Sequence, residues 1–142
     1  MAEKISTLML KEHRKIDNLL SDFGKELPKD FDEAKIRFSE FVWALQKHFF
    51  LEEKAIFIMG DKLVGEEVVN VFELMKEHGE ITELVKNIEE GINTGVNVDI
   101  SSLRTLILKH AAFEDKYFYP ELDESLDPEV KEQIINRIKQ LI

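Results

Sequence analysis

The chain carries an internal repeat, and all four of its histidines fall inside it. His48-Phe-Phe-Leu-Glu52-Glu53-Lys54 recurs 62 residues later as His110-Ala-Ala-Phe-Glu114-Asp115-Lys116. Lys11-Glu12-His13-x-x-Ile16 recurs as Lys76-Glu77-His78-x-x-Ile81. The order KEH, HxxxE, KEH, HxxxE divides the chain into two similar halves. Any fold it adopts must give the two copies equivalent places.

The copies sit on helical stripes. Met9, His13, Ile16, Leu20, Phe23 and Leu27 are spaced by three and four, and the stripe stops at Pro28-Lys-Asp. A second stripe runs Phe38, Phe41, Leu45, His48, Glu52, Ala55, Met59 and ends at Gly60-Asp61. A third runs Val71, Leu74, His78, Ile81, Val85, Ile88, Ile92 and dissolves between Gly91 and Gly95. A fourth runs Leu103, Ile107, His110, Glu114, Tyr117 and is expected to stop at Pro120. These are 3.6-residue periods. Asp99 and Ser101 are candidate N-caps for the fourth helix. Asp127-Pro128 suits the start of a fifth, with a stripe of Val130, Ile134, Ile138 and Leu141. No segment alternates with a period of two. The expected fold is all-α: an antiparallel up-down-up-down four-helix bundle with a short fifth C-terminal helix. One domain spans 1–142, with the bundle over about 5–122 and the last helix over about 128–142. That last helix either covers one end of the bundle or mediates association.

A chain of 142 residues, 44% hydrophobic and 34% charged, has enough apolar mass for one core. Its formal charge of −10 opposes phosphate backbones and anionic membranes, so neither nucleic acid nor membrane is an expected partner. With no cysteine, a metal would be held by nitrogen and oxygen alone. No apolar run reaches the length of a membrane span. The N-terminus lacks the apolar stretch of a secretory signal, so the expected location is the cytoplasm.

Each histidine lies on the apolar side of its helix and so points inward. Glu52 and Glu114 follow their histidines by four residues and share that face. A lone histidine on such a stripe is usually a hydrogen-bonded core residue, and a lone HxxxE is common by chance. Four core histidines, two with an i+4 glutamate, repeated in order, are a different matter. Buried carboxylates need a partner, and no Lys or Arg occupies these stripes. A cation is the simplest partner. Between His13 and His48 lie 34 residues, and between His78 and His110 lie 31. At about 1.5 Å per helical residue these arms bring all four imidazoles to one depth. Four imidazoles and two carboxylates about a pseudo-two-fold axis suit two metals. The neighbours Glu12, Glu53, Glu77, Glu80 and Asp115 are read as solvated charges.

With these motifs in this order, residues 5–122 resemble the hemerythrin-like, or HHE cation-binding, domains. The signature is Leu8-x-x-x-Glu12-His13-x-x-Ile16, His48-x-x-x-Glu52-Glu53, Glu77-His78-x-x-Ile81 and His110-x-x-x-Glu114-Asp115-x-x-Phe118-Tyr119-Pro120. The resemblance implies a four-helix bundle around a non-haem di-iron centre. It implies His13, His48, Glu52, His78, His110 and Glu114 as ligands to two iron ions, bridged by the carboxylates and an oxo or hydroxo group. Zn or Mn would also suit such donors. The oxygen carriers of the family have a second histidine on the third helix, where this chain has Leu74. Asp115 is an alternative to Glu114 if the helix is locally distorted. Without the extra histidine each metal keeps one open position, for water or for a further ligand such as Glu53, Glu77, Asp17 or Tyr117.

The functional expectation is a di-iron protein that binds dioxygen or a related small molecule, in sensing, delivery or iron handling. The alternative is an enzyme reducing peroxide, oxygen or nitric oxide with electrons from a partner. Tyr117 is then the candidate donor of a proton or an electron. A purely structural metal site ranks last, because the core is large enough to stand without metal.

Overall fold

The computed structural model describes residues 3–63, 65–96 and 98–142. Among them every regular element is helical and no strand occurs. Helix α1 spans Ile5–Glu26 and α2 spans Phe31–Leu51. The short turn between them closes on Asp30, whose side chain accepts the Glu33 N–H at 3.1 Å and caps α2. After α2 the chain widens into a π-helical turn, Glu52–Ile56, then tightens into a 3₁₀ segment, Phe57–Lys62. Helix α3 spans Glu66–Asn93, and α4 spans Ser101–Phe113. Asp99 accepts the Ser101 N–H at 2.9 Å, as expected of a capping residue, although Ile100 is the residue at the boundary.

The fourth stripe does not stop at Pro120. A second π-helical turn, Glu114–Phe118, leads directly into α5, Tyr119–Ser125. Pro120 falls in the first turn of α5, where a missing amide donor costs little. The second stripe departs too: it leaves α-helical geometry at Glu52 rather than running regularly to Met59. Helix α6, Pro128–Leu141, starts with proline in its first turn as the sequence indicates. Its Ile134, Ile135 and Ile138 are buried, and it packs on α1 and on the first π turn.

Two apolar clusters account for the core. One gathers Ile5, Met9, Leu51, Ala55, Leu74, Phe118, Leu122, Ile134 and Ile138. The other gathers Ile16, Leu20, Phe23, Phe38, Phe41, Leu45, Ile81, Val85, Leu103 and Ile107. On every long helix a histidine marks the passage from one cluster to the other. His13 lies between Met9 and Ile16, His48 between Leu45 and Leu51, and His78 between Leu74 and Ile81. A polar layer therefore crosses the molecule between two apolar blocks. No helix of the described residues is long and apolar enough to cross a membrane.

Candidate metal centre

The polar layer contains all six residues expected from the repeat. His13 comes from α1, His48 from α2, His78 from α3 and His110 from α4; Glu52 and Glu114 open the two π turns. Both carboxylates are fully buried, and His48, His78 and His110 are nearly so. Every imidazole turns its Nε2 inward. Glu52 Oε1 lies 3.1 Å from His48 Nε2 and 3.2 Å from His78 Nε2. Glu114 Oε1 lies 3.1 Å from His13 Nε2 and 3.4 Å from His110 Nε2. Each carboxylate is thus set between one imidazole of the first half and one of the second. Within each half the imidazoles also meet, with ring centroids 4.8 Å apart for His13 and His48 and 5.1 Å apart for His78 and His110.

The atoms form two overlapping groups with metal-ligand spacing. Glu52, His78, His110 and Glu114 each place a donor atom within 4.8 Å of the others, and so do His13, His48 and Glu114. His13 Nε2 and His48 Nε2 face each other at 3.1 Å. His110 Nε2 is buried and, among the described residues, has no hydrogen-bond partner. An inward nitrogen without a partner, beside two buried carboxylates, is the arrangement a cation completes. The donor set is nitrogen and carboxylate oxygen, which fits iron and equally zinc or manganese.

The outer nitrogens show what the sequence reading missed. Glu53, Glu77 and Asp115 are not merely solvated charges. Asp115 Oδ1 is 2.9 Å from His13 Nδ1, Glu53 Oε2 is 3.0 Å from His78 Nδ1, and Glu77 Oε1 is 2.6 Å from His110 Nδ1. A carboxylate on Nδ1 fixes the tautomer that leaves Nε2 free to ligate. Glu53 and Asp115 occupy matching places in the repeat, each serving a histidine of the other half. The match was legible; the contact was not, because it depends on the π turns. Asp17, another candidate ligand, instead faces Arg104 at 3.9 Å.

Tyr117 is 62% exposed and is not part of the centre. Tyr119 is, fully buried with its hydroxyl bonded to Glu52 and lying 3.0 Å from Glu114 Oε2. The extra residue of a π turn retards everything beyond it by about one residue, or 100° of rotation. Tyr119, five past Glu114, therefore takes the place that a regular helix gives to the fourth residue. Met9 and Leu74, which match in the two copies, are both buried in one apolar cluster, so neither copy offers a further ligand there.

Electrostatics reflects crowded acids. Burial drives the Glu114 carboxyl well above the usual carboxylate range, and the neighbouring Glu52 charge adds to this. Burial acts on Glu52 in the same direction, but His48 and hydrogen bonds from its neighbours outweigh it and hold Glu52 well below that range. Two buried carboxylates side by side are thus pushed in opposite directions. Burial, then the charges of Glu114 and Glu52, lifts the Tyr119 phenol well above its ordinary value. Burial lowers His110, whereas at His78 the bonds to Glu52 and Glu53 overcome burial and raise it.

No curated protein and no solved structure matches the chain. Residues 4–122 match the family model of the hemerythrin HHE cation-binding domain. That span contains the repeat, both π turns and every residue of the polar layer, and the chain belongs to the hemerythrin HHE cation-binding domain family.

Proposed function

We propose that the helices form an antiparallel four-helix bundle around a di-iron centre, and that this centre binds dioxygen or a related small molecule. The observation that carries the reading is the position of Glu52 and Glu114, each between imidazoles of opposite halves. A carboxylate placed so can bridge two metals, one held by His13 and His48, the other by His78 and His110. Bound iron would supply redox-active coordination, and this chain's residues set its surroundings. Asp115, Glu53 and Glu77 hold three imidazoles in the ligating tautomer. Ile16, Leu45, Phe49, Ile81 and Ile107, with His13, His48 and His110, line a cavity of about 20 Å³ beside the centre. A volume of this order admits a water-sized molecule. Its apolar walls favour a neutral diatomic over a charged substrate, and they limit water at the metals.

The test is metal content with an optical spectrum. Protein loaded anaerobically with iron(II) should hold two irons per chain, and His48→Ala and His110→Ala should each lower that number. Unchanged stoichiometry in both variants would refute the ligand assignment. Exposure of the reduced protein to dioxygen or nitric oxide should change the spectrum without consuming the ligand. Sustained turnover of peroxide or nitric oxide with an added reductant would instead favour the reductase alternative.

A further inference from the structure

Tyr119 lies fully buried at the centre and outside the six-residue donor set. Its plainest role would be that of a core tyrosine with a satisfied hydroxyl. Its partners argue otherwise. The hydroxyl meets Glu52 Oε2 and Glu114 Oε2, the second oxygens of the two carboxylates placed to bridge metals. A bridging carboxylate gives both oxygens to metal. With charge drawn toward metal these oxygens become poorer acceptors, and the Tyr119 hydroxyl beside them stands within reach of the same cations. Three oxygens, Glu52 Oε2, Glu114 Oε2 and the Tyr119 hydroxyl, thus meet at one place in the centre.

The repeat gives this oxygen a side. Tyr119 lies 62 residues after Phe57, so the two are counterparts. Each follows its π turn directly. The Tyr119 ring lies 6.1 Å from the His13 ring at 32°, and the Phe57 ring lies 5.7 Å from the His78 ring at 30°. The two rings are thus placed alike, one in each half, and only one bears an oxygen. Resting on the di-iron reading above, we propose that Tyr119 is a seventh protein ligand, an oxygen donor to the metal held by His13 and His48. On binding, the phenol O–H bond breaks, an oxygen–metal bond forms and one proton leaves to solvent. The metal held by His78 and His110 has at the matching position Phe57, which offers no donor atom. The near-symmetric repeat thereby yields two unlike metals, one with a protein oxygen more than the other.

Tyrosine phenolate on ferric iron gives a visible charge-transfer band with enhanced phenolate ring modes in its Raman spectrum. The protein has two tyrosines, Tyr117 and Tyr119, which makes the assignment direct. The chain is loaded with iron, oxidised in air and measured for iron content, visible absorption and resonance Raman scattering, unlabelled and with ring-deuterated tyrosine. The expected result is two irons per chain and a band whose ring modes shift on deuteration. The band should survive in Tyr117→Phe and vanish in Tyr119→Phe, with the latter still binding two irons. Two irons without phenolate modes in the wild-type protein would overturn the ligand assignment while leaving the di-iron reading intact. So would a band that persists in Tyr119→Phe. Fewer than two irons in the wild-type protein would overturn both. The labelled wild-type spectrum decides the question even if Tyr119→Phe does not fold.

Discussion

What separates the four imidazoles is the group on the outer nitrogen. His13, His78 and His110 each have a carboxylate on Nδ1, whereas His48 Nδ1 is buried without a hydrogen-bond partner among the described residues. The repeat would assign that place to Glu12, the counterpart of Glu77, but the contact is not formed. Glu53→Ala, Glu77→Ala and Asp115→Ala should therefore each weaken iron binding by roughly 10- to 100-fold, the usual effect of removing such a partner. Glu12→Ala should leave it unchanged. Competition against a chelator of known affinity measures this, and an equal loss in all four variants would mean a general charge effect instead. The contrast also marks how far the sequence could be read. His13, His48, Glu52, His78, His110 and Glu114 were legible because a helical stripe fixes which way each points. Glu53 and Asp115 were not, since one residue past the ligand is off the face in a regular helix. Tyr119 was hidden for the same reason, and Tyr117, on the face by simple periodicity, is exposed instead.

At the level of helices, the stripes located α1, α2, α3, α4 and α6 because burial and the 3.6-residue period act together on long segments. They could not show the π turns, since a single inserted residue leaves the pattern on either side intact. Nor could they show that Pro120 lies within helix, because proline is acceptable in a first turn and the π turn creates a new first turn there. Two glycines of α3 test how tightly its surroundings are packed. Gly79 is exposed, and a Cβ built there meets nothing within 4 Å. Gly79→Ala should stabilise the protein by about 1 kcal/mol through helix propensity. At Gly91 the same Cβ would lie 2.5 Å from Val98 Cγ1, because the segment before α4 folds back onto α3. Overpacking costs about 1–3 kcal/mol, so Gly91→Ala should give no gain or a net loss. Urea unfolding of both variants checks the pair. A gain at Gly91 equal to that at Gly79 would show that the connection leaves α3 free.

For the molecule as a whole, the question is whether metal holds the fold or the fold holds the metal. Two apolar clusters, each drawing on several helices, lie on either side of the polar layer. Neither needs a cation to form. The layer also has an internal way to satisfy itself, with the Tyr119 hydroxyl against both Glu52 and Glu114 and three imidazoles held by outer acids. The metal-free chain should therefore stay folded. Metal binding should still stabilise it by linkage, about 2.7 kcal/mol per site when the metal is at 100 times its dissociation constant. Two sites together would give about 5 kcal/mol. At roughly 2–4 °C per kcal/mol for a chain of about this size, the midpoint of thermal unfolding should fall by about 10–20 °C on metal removal. Reduction with dithionite in excess EDTA, followed by circular dichroism and a thermal scan, makes the comparison. The expected outcome is unchanged helical signal at room temperature and one cooperative transition at the lower midpoint. Loss of helical signal on chelation would mean that the cation is structural, and it would move this chain from small-molecule chemistry to metal-dependent folding.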